Sequence, residues 1–274
     1  MADLQGKRAL VTGASSGIGA AIARELARRG VHLVLAARRR AQLDEVAATC
    51  SQHGVTAEVI TADLGQPDGA RVLWNAAART GIDIVINNAG FGYFRPFAGI
   101  DWTRDAELVQ LNITSLVELS RRFVDHRRGR DGRAYLVNIA SIGAYQSVPN
   151  MAVYAASKAF VRNFTEGLHD ELAGTPLSAT CICPGGTKTE FHAVAGAGDY
   201  SWLANRSMMT AEQVARIAVE AMVRGKRNVI PGLINKLSCW GVRLVPRRIA
   251  SWMSRRVLGK PRPGELPART TEAA

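Results

Sequence analysis

Three side chains near the middle of the chain have the types and spacing for proton transfer: Ser141, Tyr154 and Lys158. Tyr154-Ala155-Ala156-Ser157-Lys158 opens a stretch of helical periodicity over 153–173, and an i, i+4 spacing puts phenol and ammonium on one helix face. A phenol with a pKa near ~10 is a poor base at neutral pH. An ammonium a few ångströms away favours the phenolate and brings the group closer to the range useful for general acid–base work. Ser141 closes the strand-like run Asn138-Ile139-Ala140-Ser141. Strand C-terminal ends in an open α/β sheet face the ligand crevice, where this hydroxyl could orient a substrate oxygen beside Tyr154. A lone Tyr, Lys or Ser is usually structural. The joint placement, 13 residues from Ser141 to Tyr154 and four more to Lys158, is what points to catalysis.

A second constellation lies at the start of the chain. Thr12-Gly13-Ala14-Ser15-Ser16-Gly17-Ile18-Gly19 follows a strand-like run and opens a helical one. In that context Gly13 allows a sharp turn, Gly17 lets backbone approach a pyrophosphate, and Gly19 lets helix and strand pack closely. The helix N-terminus favours the phosphate charge. After the next strand, where a site selective for NAD carries an acid, stands the neutral Ala37, followed by Arg38, Arg39 and Arg40. A guanidinium pairs with a 2′-phosphate in bidentate fashion. The expectation is NADP(H), with NAD(H) the weaker alternative and Arg38 the leading contact ahead of Arg39. The competing reading is three arginines that only solvate a helix start.

The elements that must hold these residues are legible as alternation. Strand-like runs at 8–12, 32–36, 56–61, 84–87, 134–139, 178–183 and 228–231 are separated by helical patterns at 17–29, 41–53, 68–80, 101–124, 153–173 and 211–224. Such a rhythm implies α/β: a single doubly wound, Rossmann-type domain over 1–232, with a seven-stranded parallel sheet flanked by helices. A basic amphipathic helical extension is expected over 233–264 and a loose tail over 265–274.

Composition is that of a globular chain: 274 residues, 47% hydrophobic and 21% charged. No run of about 18 apolar residues suggests a spanning helix, and the N-terminus lacks the pattern of a secretory signal, so a cytoplasmic location is expected. Cys50, Cys181, Cys183 and Cys239 suit a reducing compartment. Cys181 and Cys183 could be half of a metal site, but nothing completes it, and two small core residues is the preferred reading; no metal is expected. The net charge of +12 is uneven. From Ala221 to Gly264 stand eleven Lys and Arg and no Asp or Glu. Leu233, Leu237, Trp240 and Leu244 recur there at helical spacing, and after Pro246 so do Ile249, Trp252, Met253 and Val257. Such helices either pack on the body or a second subunit, or lie on an anionic membrane surface. No nucleic-acid-reading motif accompanies the charge, so no nucleic-acid partner is expected.

Taken together, these motifs resemble the short-chain dehydrogenase/reductase family over roughly Gly6 to Pro231. The resemblance rests on Thr12-Gly13-x-x-x-Gly17-x-Gly19, Asp63-Leu64, Asn87-Asn88-Ala89-Gly90, Asn112, Ser141, Tyr154-x-x-x-Lys158 and Pro184-Gly185. It implies a catalytic set of Asn112, Ser141, Tyr154 and Lys158, with Asn112 holding a water in a proton relay and Lys158 also bonding the nicotinamide ribose. It further implies cofactor contacts at Gly13, Ser15, Ser16, Gly17, Ile18, Gly19, Asp63, Leu64, Asn88, Ala89, Gly90, Pro184, Gly185, Thr187 and Thr189. Asp63 and Leu64 would flank the adenine, and Thr187 and Thr189 would fix the carboxamide. Some NADP-dependent members carry a basic residue where this chain has Ser16, which leaves the 2′-phosphate to Arg38 and its neighbours. The segment 188–209, with Phe191, His192, Tyr200, Trp202, Met208 and Met209, resembles the family's substrate lid, and Gly196 and Gly198 would let it move. Phe91, Gly92, Tyr93 and Phe94 are expected to line the same pocket, so the substrate is expected to have an apolar portion. A homodimer or homotetramer is implied as well.

Three functions compete on these residues. The first is an enzyme that passes hydride between nicotinamide and a small-molecule carbonyl or alcohol. The second is a nucleotide-sensing module on the same fold, and the third a membrane-surface protein whose tail is its purpose. A sensor would tolerate loss of Tyr154 or Lys158; the presence of all four catalytic-type residues favours the enzyme.

Overall fold

A computed structural model describes residues 4–188 and 207–258. Strand β1 (Arg8–Thr12) shows why the sheet forms: Ala9 and Val11 point into one core and Leu10 into the other. In β2 (His32–Ala37), Leu33 and Leu35 join the first core and Val34 the second. Strands apolar on both faces belong in a sheet covered on both sides. With β3 (Ala57–Thr61), β4 (Ile84–Asn87), β5 (Ala134–Ile139), β6 (Leu177–Ile182) and, later in the chain, β9 (Asn228–Val229), they form a seven-stranded sheet of order β3-β2-β1-β4-β5-β6-β9. Every pairing is parallel. The short strands β7 (Thr187–Lys188) and β8 (Met209–Thr210) pair with each other beside it.

Helices α1 (Gly17–Arg28), α2 (Arg40–Ser51) and, after β8, α7 (Ala211–Val223) supply Leu26, Leu43 and Met222 to the first core. On the other face, α3 (Gly69–Ala77) contributes Leu73 and Trp74, α5 (Leu116–Arg127) contributes Phe123, and α6 (Ala152–Glu171) contributes Val161. Chain order reverses between β1 and β4, so the crevice for a ligand opens at the C-terminal ends of those two strands.

One element departs from expectation. The helix expected over 101–124 is α4 (Trp102–Val109), a π-helical stretch Gln110–Ser115, and then α5. A π-helical turn carries an extra residue and commonly marks a functional position; here it contains Asn112. The C-terminal helices α8 (Leu233–Gly241) and α9 (Arg247–Leu258) do not project from the body. On α8 Asn235, which packs on Gly185, and Cys239 are buried, and on α9 so are Ala250 and Ser254. Among the described residues no helix is long and apolar enough to cross a membrane.

Candidate active site

The glycine loop is held by an interlock between the ends of β1 and β4. Thr12 Oγ1 accepts hydrogen bonds from the backbone N–H of Asn88 (3.0 Å) and Ala89 (3.0 Å) and donates to Ile86 O at 3.2 Å. Asn88 Nδ2 donates back to Thr12 O (3.0 Å) and Gly13 O (3.2 Å). Gly13 has φ +64, and a Cβ there would lie 2.8 Å from Asn88 Nδ2. A Cβ on Gly19 would meet Gly13 O at 2.3 Å. Gly19 therefore lets α1 close onto the loop itself, while Ile18 packs against the first core. Gly17, also at positive φ, opens the helix after Ser15 and Ser16. Arg39 Nη2 donates to Ser16 Oγ at 2.8 Å and Ser15 Oγ at 3.4 Å, tying the start of α2 to this loop. Arg38, expected as the leading contact, is half-buried just after β2, and Arg40 pairs with Asp44. Leu64 O accepts the Ser115 hydroxyl at 2.6 Å, and Asp63 caps the turn by accepting from the Gly65 N–H at 2.9 Å.

Across the crevice lie the candidate proton-transfer residues. Lys158 is buried, and its Nζ donates to Ile139 O at 2.9 Å and lies 5.8 Å from the Tyr154 ring centroid. Burial lowers its pKa to about 8, with the neighbouring Cys181 and Cys183 pulling weakly the other way. Two glycines make the room. A Cβ on Gly92 would sit 2.5 Å from Tyr154 Cδ2, and one on Gly90 would sit 3.0 Å from Asn112 Oδ1 and 3.3 Å from Lys158 Nζ. Ser141, at the end of β5, accepts the Gly143 N–H at 3.1 Å. The next residue, Ile142, donates its N–H to Pro184 O at 2.9 Å, which joins the Ser141 turn to the Pro184-Gly185 segment.

Asn112 spends its side chain on structure. Its Oδ1 accepts the Phe91 N–H at 3.1 Å, and its Nδ2 donates to Phe91 O (3.0 Å) and Ser157 Oγ (3.1 Å). Ser157 in turn donates to Tyr154 O at 2.7 Å. Beneath the site Asn87 Nδ2 donates to Asn138 Oδ1 at 2.9 Å, and Asn138 Nδ2 to Thr165 Oγ1 at 2.9 Å, linking β4, β5 and α6.

On the third side Thr187 is buried and donates to Gly185 O at 3.1 Å. A Cβ on Gly185 would strike the Asn235 amide at 2.5 Å, and Asn235 Nδ2 donates to Pro231 O at 3.0 Å. Sequence reasoning missed Ser157 and Asn235. The first carries a signal, three residues after Tyr154; the second carries none. Of the residues expected as pocket lining, Gly92, Tyr93 and Phe94 are buried and Phe91 is half-buried; Phe91 bonds Asn112 and Gly92 lies against the Tyr154 ring. Thr189, Phe191, His192, Gly196, Gly198, Tyr200 and Trp202 lie outside the described residues. Cys181 and Cys183 are buried with sulfurs 3.7 Å apart, and their hydrogen bond together with burial pushes the Cys181 thiol well up. Among the described residues no three His, Cys, Asp or Glu side chains cluster as a metal site requires.

This geometry is matched by known proteins. Residues 7–200 match the family model described as short chain dehydrogenase. The chain belongs to the short-chain dehydrogenase family. As a member it is a nicotinamide-dependent oxidoreductase of carbonyl and alcohol groups. An uncharacterized oxidoreductase of Myxococcus xanthus is 36% identical over 70% of this chain and 77% of its own length. Dehydrogenase/reductase SDR family member 4 of Sus scrofa is 32% identical over 70% of this chain and 69% of its own. Among solved structures, a short-chain dehydrogenase from Sphingobium yanoikuyae in complex with NADPH superposes with TM-score 0.77 at 31% identity, covering 87% of this chain and 94% of that one. The residues present fit a dinucleotide: the interlocked loop is free of Cβ atoms at Gly13, Gly17 and Gly19, and it sits at the switch between β1 and β4.

Proposed function

We propose that this short-chain dehydrogenase uses NADP(H), with Tyr154 as general acid and base on a carbonyl or secondary alcohol that carries an apolar portion. The observation behind it is the buried Lys158 ammonium, anchored 2.9 Å from Ile139 O and facing the Tyr154 ring at the rim of the cradle. When bound, the nicotinamide gives or takes the hydride. In reduction the Tyr154 hydroxyl donates its proton to the substrate oxygen, and in oxidation it takes one back. Lys158 supplies the positive charge that favours the phenolate after that transfer. Ser141 orients the same oxygen, and Asn112 is a positioning residue acting through Phe91 and Ser157.

The NADP preference is supported by the neutral Ala37, by Arg38, and by the Arg39 guanidinium set on Ser15 and Ser16 at the cradle's edge. An Arg39→Ala variant is expected to lose about 10-fold or more in kcat/KM with NADPH and little with NADH. Equal losses with both would remove the assignment. Cofactor contacts from Asp63, Leu64, Asn88, Ala89, Gly90, Pro184, Gly185, Thr187 and Thr189 belong to the same reading. So does a homodimer or homotetramer paired through the long helices, where Phe160 of α6 is exposed. Four free, buried cysteines fit a reducing compartment, and we place the protein in the cytoplasm. We assign 1–232 to the catalytic domain, 233–264 to a helical extension seated on it, and 265–274 to a tail.

The deciding experiment is a spectrophotometric screen of ketones, aldehydes, sugars and acyl carbonyls with NADPH. For any substrate found, Tyr154→Phe should lower kcat by about 100-fold or more while cofactor still binds. Near-normal turnover in that variant would sink the mechanism.

A further inference from the structure

Helices α8 and α9 are seated with their apolar residues outward. On α8 the buried positions are Asn235 (2% exposed) and Cys239 (5%), whereas Leu237 and Trp240 are 62% and 63% exposed. Leu233 and Leu244 continue the same outward stripe. On α9 Ala250 and Ser254 are buried, whereas Ile249, Trp252 and Met253 are exposed. A contiguous apolar face on an amphipathic helix calls for a partner.

Charge selects the partner. Lys236, Arg243, Arg247, Arg248, Arg255 and Arg256 are all exposed around the stripe, and the sequence offers no Asp or Glu between Ala221 and Gly264 to offset them. A second copy pairing through this face would set the same cations against each other, because a two-fold interface apposes identical patches. An anionic bilayer neutralises them while accepting the leucines and tryptophans at its interface. The same face carries a cleft of about 430 Å³ lined by Pro149, Asn150, Arg248, Ser251, Trp252 and Arg255. Its two guanidiniums suit a lipid phosphate.

We propose that α8 and α9 form a membrane-docking face for anionic phospholipid, with the cleft taking a headgroup. The helices that carry this face reach the site region from their other side. Asn235 of α8 packs on Gly185, and the cleft borders Asn150, just before α6 and Tyr154.

The test is vesicle co-sedimentation of the full-length protein, without cofactor or substrate, so that its outcome is independent of the reaction assigned above. Binding to mixed phosphatidylcholine–phosphatidylglycerol vesicles at low salt should exceed binding to pure phosphatidylcholine by about 10-fold or more, and high salt should release the protein. Trp240→Glu with Trp252→Glu should abolish binding. The milder pair Leu237→Ser and Leu244→Ser should weaken it with an unchanged melting temperature, and Arg248→Gln with Arg255→Gln should lower the preference for anionic lipid. No sedimentation at any salt, equal binding to both vesicles, or an oligomer that the Trp240→Glu and Trp252→Glu pair dissociates would each overturn the proposal.

Discussion

A methyl group at position 92 would compete for volume with the Tyr154 ring, which the proposed mechanism turns toward the substrate. Gly92→Ala is therefore expected to turn Tyr154 away from the crevice and to reduce kcat/KM by about 10-fold or more, since displacements near 1 Å can cost on the order of 100-fold. The melting temperature should move less than the activity, because the added methyl meets the Tyr154 ring alone among its nearest neighbours and the ring can turn. A large fall in melting temperature with unaltered catalysis by the remaining folded protein would contradict this. Lys158 carries a pH signature. Burial depresses its folded-state value to about 8, so from there up to the ordinary lysine range the unfolded chain holds a proton that the folded protein has released. Stability of the cofactor-free protein should rise with pH across that window. Lys158→Met should abolish the rise and, at neutral pH, should stabilise slightly: the relieved desolvation, on the order of 3 kcal/mol, outweighs the lost hydrogen bond to Ile139 O at about 1–2 kcal/mol. Urea titrations at several pH values check both statements, and a wild-type curve flat above neutrality would refute them.

Between elements, the sequence announces pairing better than it announces orientation. The central strands of the main sheet are readable because runs such as Leu33-Val34-Leu35 are apolar on both faces, and the edge strands because they recur in the same alternation with helices. The candidate catalytic and cradle residues could be picked out because their motifs are local in sequence. The π-helical turn at Gln110–Ser115 is not, since one extra residue in a turn leaves the helical pattern of side chains almost unchanged. Nor is the seating of α8, because periodicity marks an apolar stripe without saying which stripe meets the body. Asn235 falls in that blind spot, an ordinary polar residue that proves to be buried against Gly185. Asn235→Ala should loosen that segment and raise KM for the nicotinamide cofactor about 3- to 10-fold, with a smaller change in kcat. A fall in kcat alone would mean that the contact serves some other end.

At the scale of the molecule, near-neutral body and cationic end are joined through that same contact. Ending the chain after Gly232 removes Asn235 and Cys239 from the body and exposes what they cover. The shortened protein should melt roughly 5 °C lower or more; an unchanged melting temperature would make the extension an independent unit. The Thr12–Asn88 interlock has a consequence for how the protein comes into being. Its partners stand 76 residues apart, and neither can shape the glycine turn without the other. A nascent chain that has not yet reached Ala89 owns the complete glycine motif but no receptacle. Dinucleotide can therefore rescue only chains whose fourth strand has already been made and inserted, and it has no hold on those stalled before it.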